Sequence, residues 1–180
     1  FAFYAAVQLE RRPGRVLVEA PTYDRPLKLL GWDGAEVATV PMDEEGLDLD
    51  ALEAELAKGG SVSFLYTIPT FQNPTGRTLG MERRRRLAEI AAAHDLPVLE
   101  DDPYGLVRYE GEPLPSIHEL EGGSRVAFTS SFSKTVAPGL RIGYFVVPAD
   151  MVPAYDERAV STYISPSLLP QATVFELIDR

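Results

Sequence analysis

The sequence of 180 residues contains no cysteine, only two histidines and a single tryptophan. The lack of cysteine excludes disulfides, a cysteine nucleophile and thiolate metal sites, and two histidines are too few for a histidine-rich metal centre. Acidic residues outnumber basic ones by 27 to 17, and the formal net charge of −10 argues against a surface for nucleic acid or anionic lipid. No apolar run approaches the roughly 20 residues of a membrane-spanning helix, and no signal peptide is visible. We therefore expect a cytoplasmic enzyme with no metal, nucleic-acid or membrane partner.

Short apolar runs alternate with helical patterns along the chain. Apolar residues make up 45% of the sequence and charged residues 24%, which is ordinary for a globular α/β domain with its own core. Strands are predicted at residues 15–20, 36–40, 61–67, 97–101, 126–130 and 143–147, and helices at 23–32, 49–58, 81–94 and 151–161. We expect Trp32 to belong to the core and Arg83 to Arg86 to form a solvated helix face.

Several predicted strands are continuous apolar runs rather than alternating ones, as in Phe64-Leu65-Tyr66. Burial on both faces of a mostly parallel sheet requires this pattern, so we predict a doubly wound α/β layer. In such sheets ligands gather beyond the carboxyl ends of the strands. Polar residues follow three predicted strands at that edge, beginning at Asn73, Asp101 and Ser131.

The third group is Ser131-Phe132-Ser133-Lys134, with Arg141 seven residues further on. A lysine amine can form a Schiff base with a carbonyl cofactor, and hydroxyls and a guanidinium can hold its phosphate. Because an apolar strand follows Arg141, we expect its base to be buried and its guanidinium to need an anionic partner. The alternative is a solvated strand-to-loop junction without a ligand.

The second group, Glu100-Asp101-Asp102-Pro103-Tyr104, places three carboxylates at the end of an apolar strand. Carboxylates in such a place are costly unless something pairs with them, and a cationic ring nitrogen is one possible partner. The alternative is that Asp101 or Asp102 caps a helix that begins at Pro103.

The first group is Asn73-Pro74-Thr75-Gly76, in a loop after a buried strand. Pro74 restricts the backbone of Asn73 and so fixes the direction of its amide. The same residues are also common in ordinary turns.

Taken together and in this order, the three groups resemble the class I/II pyridoxal-phosphate aminotransferases of fold type I. Within that family the sequence looks most like the branch of 2-aminoadipate and kynurenine aminotransferases. The resemblance implies a three-layer α/β/α fold with a mostly parallel mixed sheet, the large domain of these transferases. It also implies that Lys134 carries the cofactor as an internal aldimine and then moves protons, and that Asp101 pairs with the pyridine nitrogen. Tyr104 and Asn73 are implied to hydrogen-bond the phenolic oxygen.

The resemblance extends to the remaining cofactor contacts. It implies that Ser131 and Arg141 bind the phosphate, with Ser133 as a helper, and that Tyr23 lies over the ring. Family members often have a cis bond at the position of Asn73–Pro74. They act on an L-amino acid and a 2-oxo acid, here expected to be 2-oxoglutarate, and are typically homodimers.

Both ends of the chain lie inside helical patterns, so we expect residues 1–180 to be an internal segment of the cofactor-binding large domain. The N-terminal arm and the C-terminal small domain of the family are then missing, and with them the arginine for the substrate carboxylate. Two alternatives stay open. One is the aminotransferase-like effector domain of a GntR/MocR-type transcription regulator, in which an aromatic residue usually replaces Asn73. The other is a pyridoxal-phosphate-dependent lyase or decarboxylase on the same scaffold.

Overall fold

The computed structural model describes residues 1–179. The helices are α1 (Ala2–Arg11), α2 (Asp24–Trp32), α3 (Leu49–Ala57), α4 (Met81–Ala93), α5 (Ile117–Glu121), α6 (Val152–Thr162) and α7 (Leu168–Ile178). The strands are β1 (Arg15–Ala20), β2 (Val37–Asp43), β3 (Gly46–Leu47), β4 (Val62–Thr67), β5 (Val98–Asp101), β6 (Val126–Ser131) and β7 (Gly143–Val146). Within residues 1–179, no helix is both long and apolar enough to cross a lipid bilayer.

One seven-stranded sheet organises the chain, with the strand order β3-β2-β1-β4-β5-β6-β7. Five neighbouring strands are parallel, in the order β2, β1, β4, β5 and β6, whereas β3 and β7 run antiparallel at the two edges. The predicted mixed, mostly parallel sheet is confirmed. Its register pairs Thr67 of β4 with Glu100 of β5, and Asp101 of β5 with Thr129 of β6. The carboxyl ends of β4, β5 and β6 therefore lie together at one edge.

The two faces of the sheet carry separate cores. Alternate residues of β1 show the division, because Leu17 packs on the face of α3, α4 and α5, whereas Val16 and Val18 pack on the face of α1. All six residues of β4 are buried, as a central strand covered on both sides requires. The expected three-layer α/β/α architecture is confirmed.

The prediction that Trp32 belongs to the core is wrong, since 81% of its surface is exposed. Helix α2 buries Pro26 and Leu30, and a helix rotates by about 200° over two residues. Trp32 therefore lies on the side of α2 opposite to Leu30 and faces solvent.

Helix α5 was not predicted, although its start and end have clear sequence signals. The Ser116 side chain accepts from the backbone N–H of Glu119, and the Glu119 carboxylate accepts from the backbone N–H of Ser116. This capping box is visible as Ser-x-x-Glu in the sequence. Gly122 ends the helix in the left-handed conformation, which glycine adopts readily.

The solvated arginine face is only partly correct, because Arg84 is 1% exposed. Arg84 lies on the same stripe of α4 as Leu87, Ala88 and Ala91, at spacings of three, four and seven residues, so the helix turns it towards the sheet. Its guanidinium donates to carbonyls and a hydroxyl of two loops, and its Nη1 lies 3.7 Å from Glu100 Oε1. A charged side chain can be buried there because those loops supply its acceptors.

Candidate functional site

A cavity of about 580 Å³ opens at the carboxyl edge of the sheet, beside the ends of β5 and β6. All eight candidate residues from the sequence line it: Tyr23, Asn73, Asp101, Tyr104, Ser131, Ser133, Lys134 and Arg141. They come from segments separated by up to 118 positions, and the parallel strand order brings them to one edge.

Asp101 is the last residue of β5 and lies at the wall of this cavity. Its Oδ2 accepts a hydrogen bond of 2.7 Å from the hydroxyl of Tyr66. Burial raises the pKa of the Asp101 carboxyl, against the hydrogen bond from Tyr66, which lowers it. No salt bridge within residues 1–179 involves Asp101. Its ionised form would therefore be stabilised by a cationic ligand group in the cavity.

The neighbouring carboxylates have different partners. Asp102 Oδ1 accepts from the backbone N–H of Gly105 at 2.7 Å, where a short 3₁₀ turn (Gly105–Val107) begins with Tyr104 as its N-cap residue. The alternative of a helix that begins at Pro103 with an aspartate cap is therefore wrong. Glu100 is 1% exposed, points to the other face and accepts from the backbone N–H groups of Ile117 and His118. Of the three carboxylates, Asp101 is the one that lines the cavity.

The loop that carries Asn73 is anchored by Gln72, a residue that the sequence analysis missed. Gln72 is 2% exposed, and its Nε2 donates to Glu19 Oε2 at 3.0 Å and to the Pro21 carbonyl at 2.8 Å. Its Oε1 accepts from the backbone N–H and the hydroxyl of Thr75. One amide therefore connects the loop of Asn73 to the segment that leads to Tyr23. The Asn73–Pro74 peptide is cis, as the resemblance implies.

Glu19 is the second residue that the sequence analysis missed, although an acid inside the apolar run of β1 is a recognisable signal. It is 2% exposed, and its carboxylate accepts from the Thr67 hydroxyl at 2.5 Å and from the backbone N–H of Ile68. Burial raises the pKa of Glu19, while the hydrogen bonds from Thr67, Gln72 and Ile68 lower it. Glu19 thus holds the end of β4 and the following loop against β1.

Ser131 is the last residue of β6, and Ser133 and Lys134 lie in the connection to the edge strand β7. The two serines are partly buried and Lys134 is exposed, so its amine is accessible from the cavity that it lines. A primary amine, two hydroxyls and a guanidinium therefore line the same cavity.

The expectation that the base of Arg141 is buried is wrong. Arg141 is exposed, and its one hydrogen bond within residues 1–179 runs from Nη1 to the Pro138 carbonyl at 3.3 Å. It follows the 3₁₀ turn Pro138–Leu140 and precedes the edge strand β7, beyond which the described residues form no further strand. Its backbone is left-handed, with φ of 54°. The other guanidinium donors are free to bind an anion in the cavity.

The chemistry of these groups fits pyridoxal phosphate. The amine of Lys134 suits its aldehyde, the carboxylate of Asp101 suits its ring nitrogen, and Arg141 with the nearby hydroxyls suits its phosphate. The amide of Asn73 and the phenol of Tyr104 line the same cavity and suit the phenolic oxygen.

Comparisons with known proteins agree with this chemistry. Residues 3–180 match the family model described as aminotransferase class I and II. The chain is 36% identical over 172 residues to aromatic-amino-acid aminotransferase 1 of Thermococcus litoralis, covering 93% of this chain and 41% of the relative. It is 38% identical over 152 residues to the HTH-type transcriptional regulator TauR of Rhodobacter capsulatus, covering 84% of this chain and 30% of the relative.

A solved structure gives the same result. The α-aminoadipate aminotransferase of Thermus thermophilus, complexed with N-(5'-phosphopyridoxyl)-L-leucine, superposes with a TM-score of 0.88 at 33% identity. The superposition covers 99% of this chain and 48% of that structure, so the chain spans less than half the length of each of these relatives. The family predicted from the three motifs is confirmed: this chain belongs to the class I and II aminotransferases.

Proposed function

We propose that the protein transfers an amino group between an L-amino acid and a 2-oxo acid, with pyridoxal phosphate as cofactor and 2-oxoglutarate as acceptor. The observation that best supports this proposal is that a largely enclosed acid, Asp101, faces the same cavity as the amine of Lys134. An acid without a salt bridge within residues 1–179 is suited to a protonated ring nitrogen, and the amine is suited to a carbonyl carbon.

When bound, pyridoxal phosphate supplies an electrophilic carbonyl and a conjugated ring that withdraws electrons from the substrate α-carbon. Lys134 would supply the amine that holds the cofactor through that carbonyl, and the base and acid that move the α-proton. Asp101 keeps a proton on the ring nitrogen through its negative charge, which acts strongly in an enclosed site. Asn73 and Tyr104 donate hydrogen bonds to the phenolic oxygen.

The remaining residues hold the cofactor in place. Arg141 and the hydroxyls of Ser131 and Ser133 bind the phosphate through charge-assisted hydrogen bonds. Tyr23 is 37% exposed beside the cavity and covers one face of the ring. Contacts to both the phosphate and the ring would orient the cofactor relative to Lys134.

The proposal includes parts of the protein beyond this segment. Because the matched region is less than half of each relative, we propose that residues 1–180 supply the cofactor-binding part of the large domain. An N-terminal arm and a C-terminal small domain then complete the substrate site, in a homodimer located in the cytoplasm.

A regulatory function is the second candidate, because the TauR regulator is 38% identical over 152 residues. Asn73 favours the enzyme, since such regulators usually have an aromatic residue at this position. A lyase on the same scaffold shares the cofactor residues and is distinguished by its product.

Two measurements on the full-length protein test the proposal. Formation of glutamate from 2-oxoglutarate with each amino acid donor identifies transamination, and borohydride reduction with peptide mass spectrometry identifies the lysine that carries the cofactor. Lys134→Ala should abolish both glutamate formation and the labelled peptide. The control Lys28→Ala should change neither, because Lys28 is on the exposed surface of α2 and pairs with Asp24. Wild-type turnover by Lys134→Ala, or a label on another lysine, would contradict the proposal.

A further inference from the structure

Tyr66 lies directly beside the proposed ring-binding acid. It is the fifth residue of β4, is fully buried, and pairs in register with Leu99 of β5. Asp101 is two residues beyond Leu99, so its side chain leaves the sheet on the same face as Tyr66. The phenol reaches the last residue of β5, where its hydroxyl donates to Asp101 Oδ2 at 2.7 Å.

The surroundings of Tyr66 keep its hydroxyl a donor. Burial raises the pKa of the phenol, and the carboxylates of Asp101 and Glu19 raise it further. The aromatic ring is fixed by an edge-to-face contact with Phe1 at 5.1 Å between centroids. A neutral, immobile phenol thus contacts one oxygen of Asp101, while Oδ1 makes no hydrogen bond within residues 1–179.

We propose that Tyr66 is a positioning residue of the cofactor site: its hydroxyl holds Asp101 Oδ2 and so presents Oδ1 to the ring nitrogen. This inference rests on the proposed function of Asp101. The hydrogen bond prevents rotation of the carboxylate, and it stabilises the ionised form over the protonated one. Asp101 then remains a hydrogen-bond acceptor and the proton stays on the ring nitrogen.

The test uses full-length protein, Tyr66→Phe, and two cofactors: pyridoxal phosphate and the analogue in which a C–H group replaces the ring nitrogen. Dissociation constants are measured by absorbance or fluorescence titration. A hydrogen bond to a charged group corresponds to roughly tenfold to a hundredfold in an equilibrium constant. We expect Tyr66→Phe to raise the dissociation constant of pyridoxal phosphate by about tenfold or more and to leave that of the analogue unchanged.

Tyr155→Phe is the matched control. The Tyr155 hydroxyl is buried without a hydrogen-bond partner in the described part of the chain, so removing it should alter neither constant. Because each variant is judged by the ratio of its two dissociation constants, a general loss of folded protein cancels. Equal weakening of both cofactors by Tyr66→Phe would show a merely structural role and overturn the inference.

Asp101→Ala distinguishes a failure of the function proposed for Asp101 from a failure of the inference about Tyr66. This substitution should also weaken the binding of pyridoxal phosphate more than the binding of the analogue. If its ratio equals that of the wild type, the assigned function of Asp101 fails, and the inference about Tyr66 fails with it. If Asp101→Ala discriminates between the two cofactors and Tyr66→Phe does not, only the inference about Tyr66 is refuted.

Discussion

Replacing Arg84 with methionine should destabilise the protein severely, although Arg84 lies in a run of four arginines on one helix. Its guanidinium donates to the carbonyls of Leu79, Pro69 and Pro115 at 2.8, 3.0 and 3.1 Å, and to the Thr70 hydroxyl at 2.7 Å. Four groups of two loops therefore depend on one buried side chain. One of those loops continues to Asn73, so the network also supports the proposed site.

The expected loss of stability follows from the buried groups that Arg84→Met leaves without a partner. Methionine has nearly the same helix propensity and a similar length, so α4 itself should persist. The acceptors lose their donor, and Glu100, which is 1% exposed and 3.7 Å from Arg84, keeps a buried charge without its cation. Removing one partner of a buried ion pair typically costs about 3–5 kcal/mol, so we expect a loss of that size in the free energy of unfolding.

Denaturant unfolding followed by far-UV circular dichroism measures this loss, with Arg85→Met as the control. Arg85 is the next residue on the same helix and is exposed, so the same substitution there should change stability by less than about 0.5 kcal/mol. Adding Glu100→Gln to Arg84→Met should restore part of the loss, because it neutralises the stranded carboxylate. Equal stability of Arg84→Met and Arg85→Met would refute the reasoning.

Two further predictions concern a buried acid and an exposed aromatic. Burial raises the pKa of the Glu19 carboxyl in the folded state, so the folded state binds the carboxyl proton more tightly than the unfolded state does. The resulting contribution to stability is present below the pKa of the unfolded state, about 4.3, and is lost as pH rises through the pKa of the folded state. Unfolding curves at a series of pH values should therefore show the wild type losing stability relative to Glu19→Gln as pH rises, and parallel profiles would contradict this. Trp32→Ala should change the free energy of unfolding by less than about 0.5 kcal/mol, whereas Leu30→Ala on the same helix should lower it by about 2–5 kcal/mol. Thermal unfolding compares the two variants, and similar losses of stability would disprove the exposure of Trp32.

The mostly parallel character of the sheet and the position of the site could be predicted from local patterns. Continuous apolar runs such as that of β4 are needed for burial on both faces, and this indicates parallel strands. Parallel strands end at a common edge, so polar groups that follow three of them lie together without further information. Asn73, Asp101 and Lys134 line one cavity for this reason.

The errors concern individual side chains. Trp32 was expected to be buried and is exposed, and Arg84 was expected to be exposed and is buried. Residue type alone does not show which side of a helix faces the sheet. The positions of neighbouring apolar residues contain that information: Arg84 shares the buried stripe of α4, and Trp32 lies off that of α2.

By itself the sequence predicted the layered α/β fold from its strand pattern and, through the resemblance of its three motifs, the family and eight residues that line one cavity. Only the tertiary structure decided which partners the three adjacent carboxylates have, and which residues support Asp101. Tyr66 contacts Asp101 across 35 positions, and Gln72 contacts Glu19 across 53. Such pairs form because the register of neighbouring strands brings them within 3 Å, and that register is set by the packing of the whole sheet.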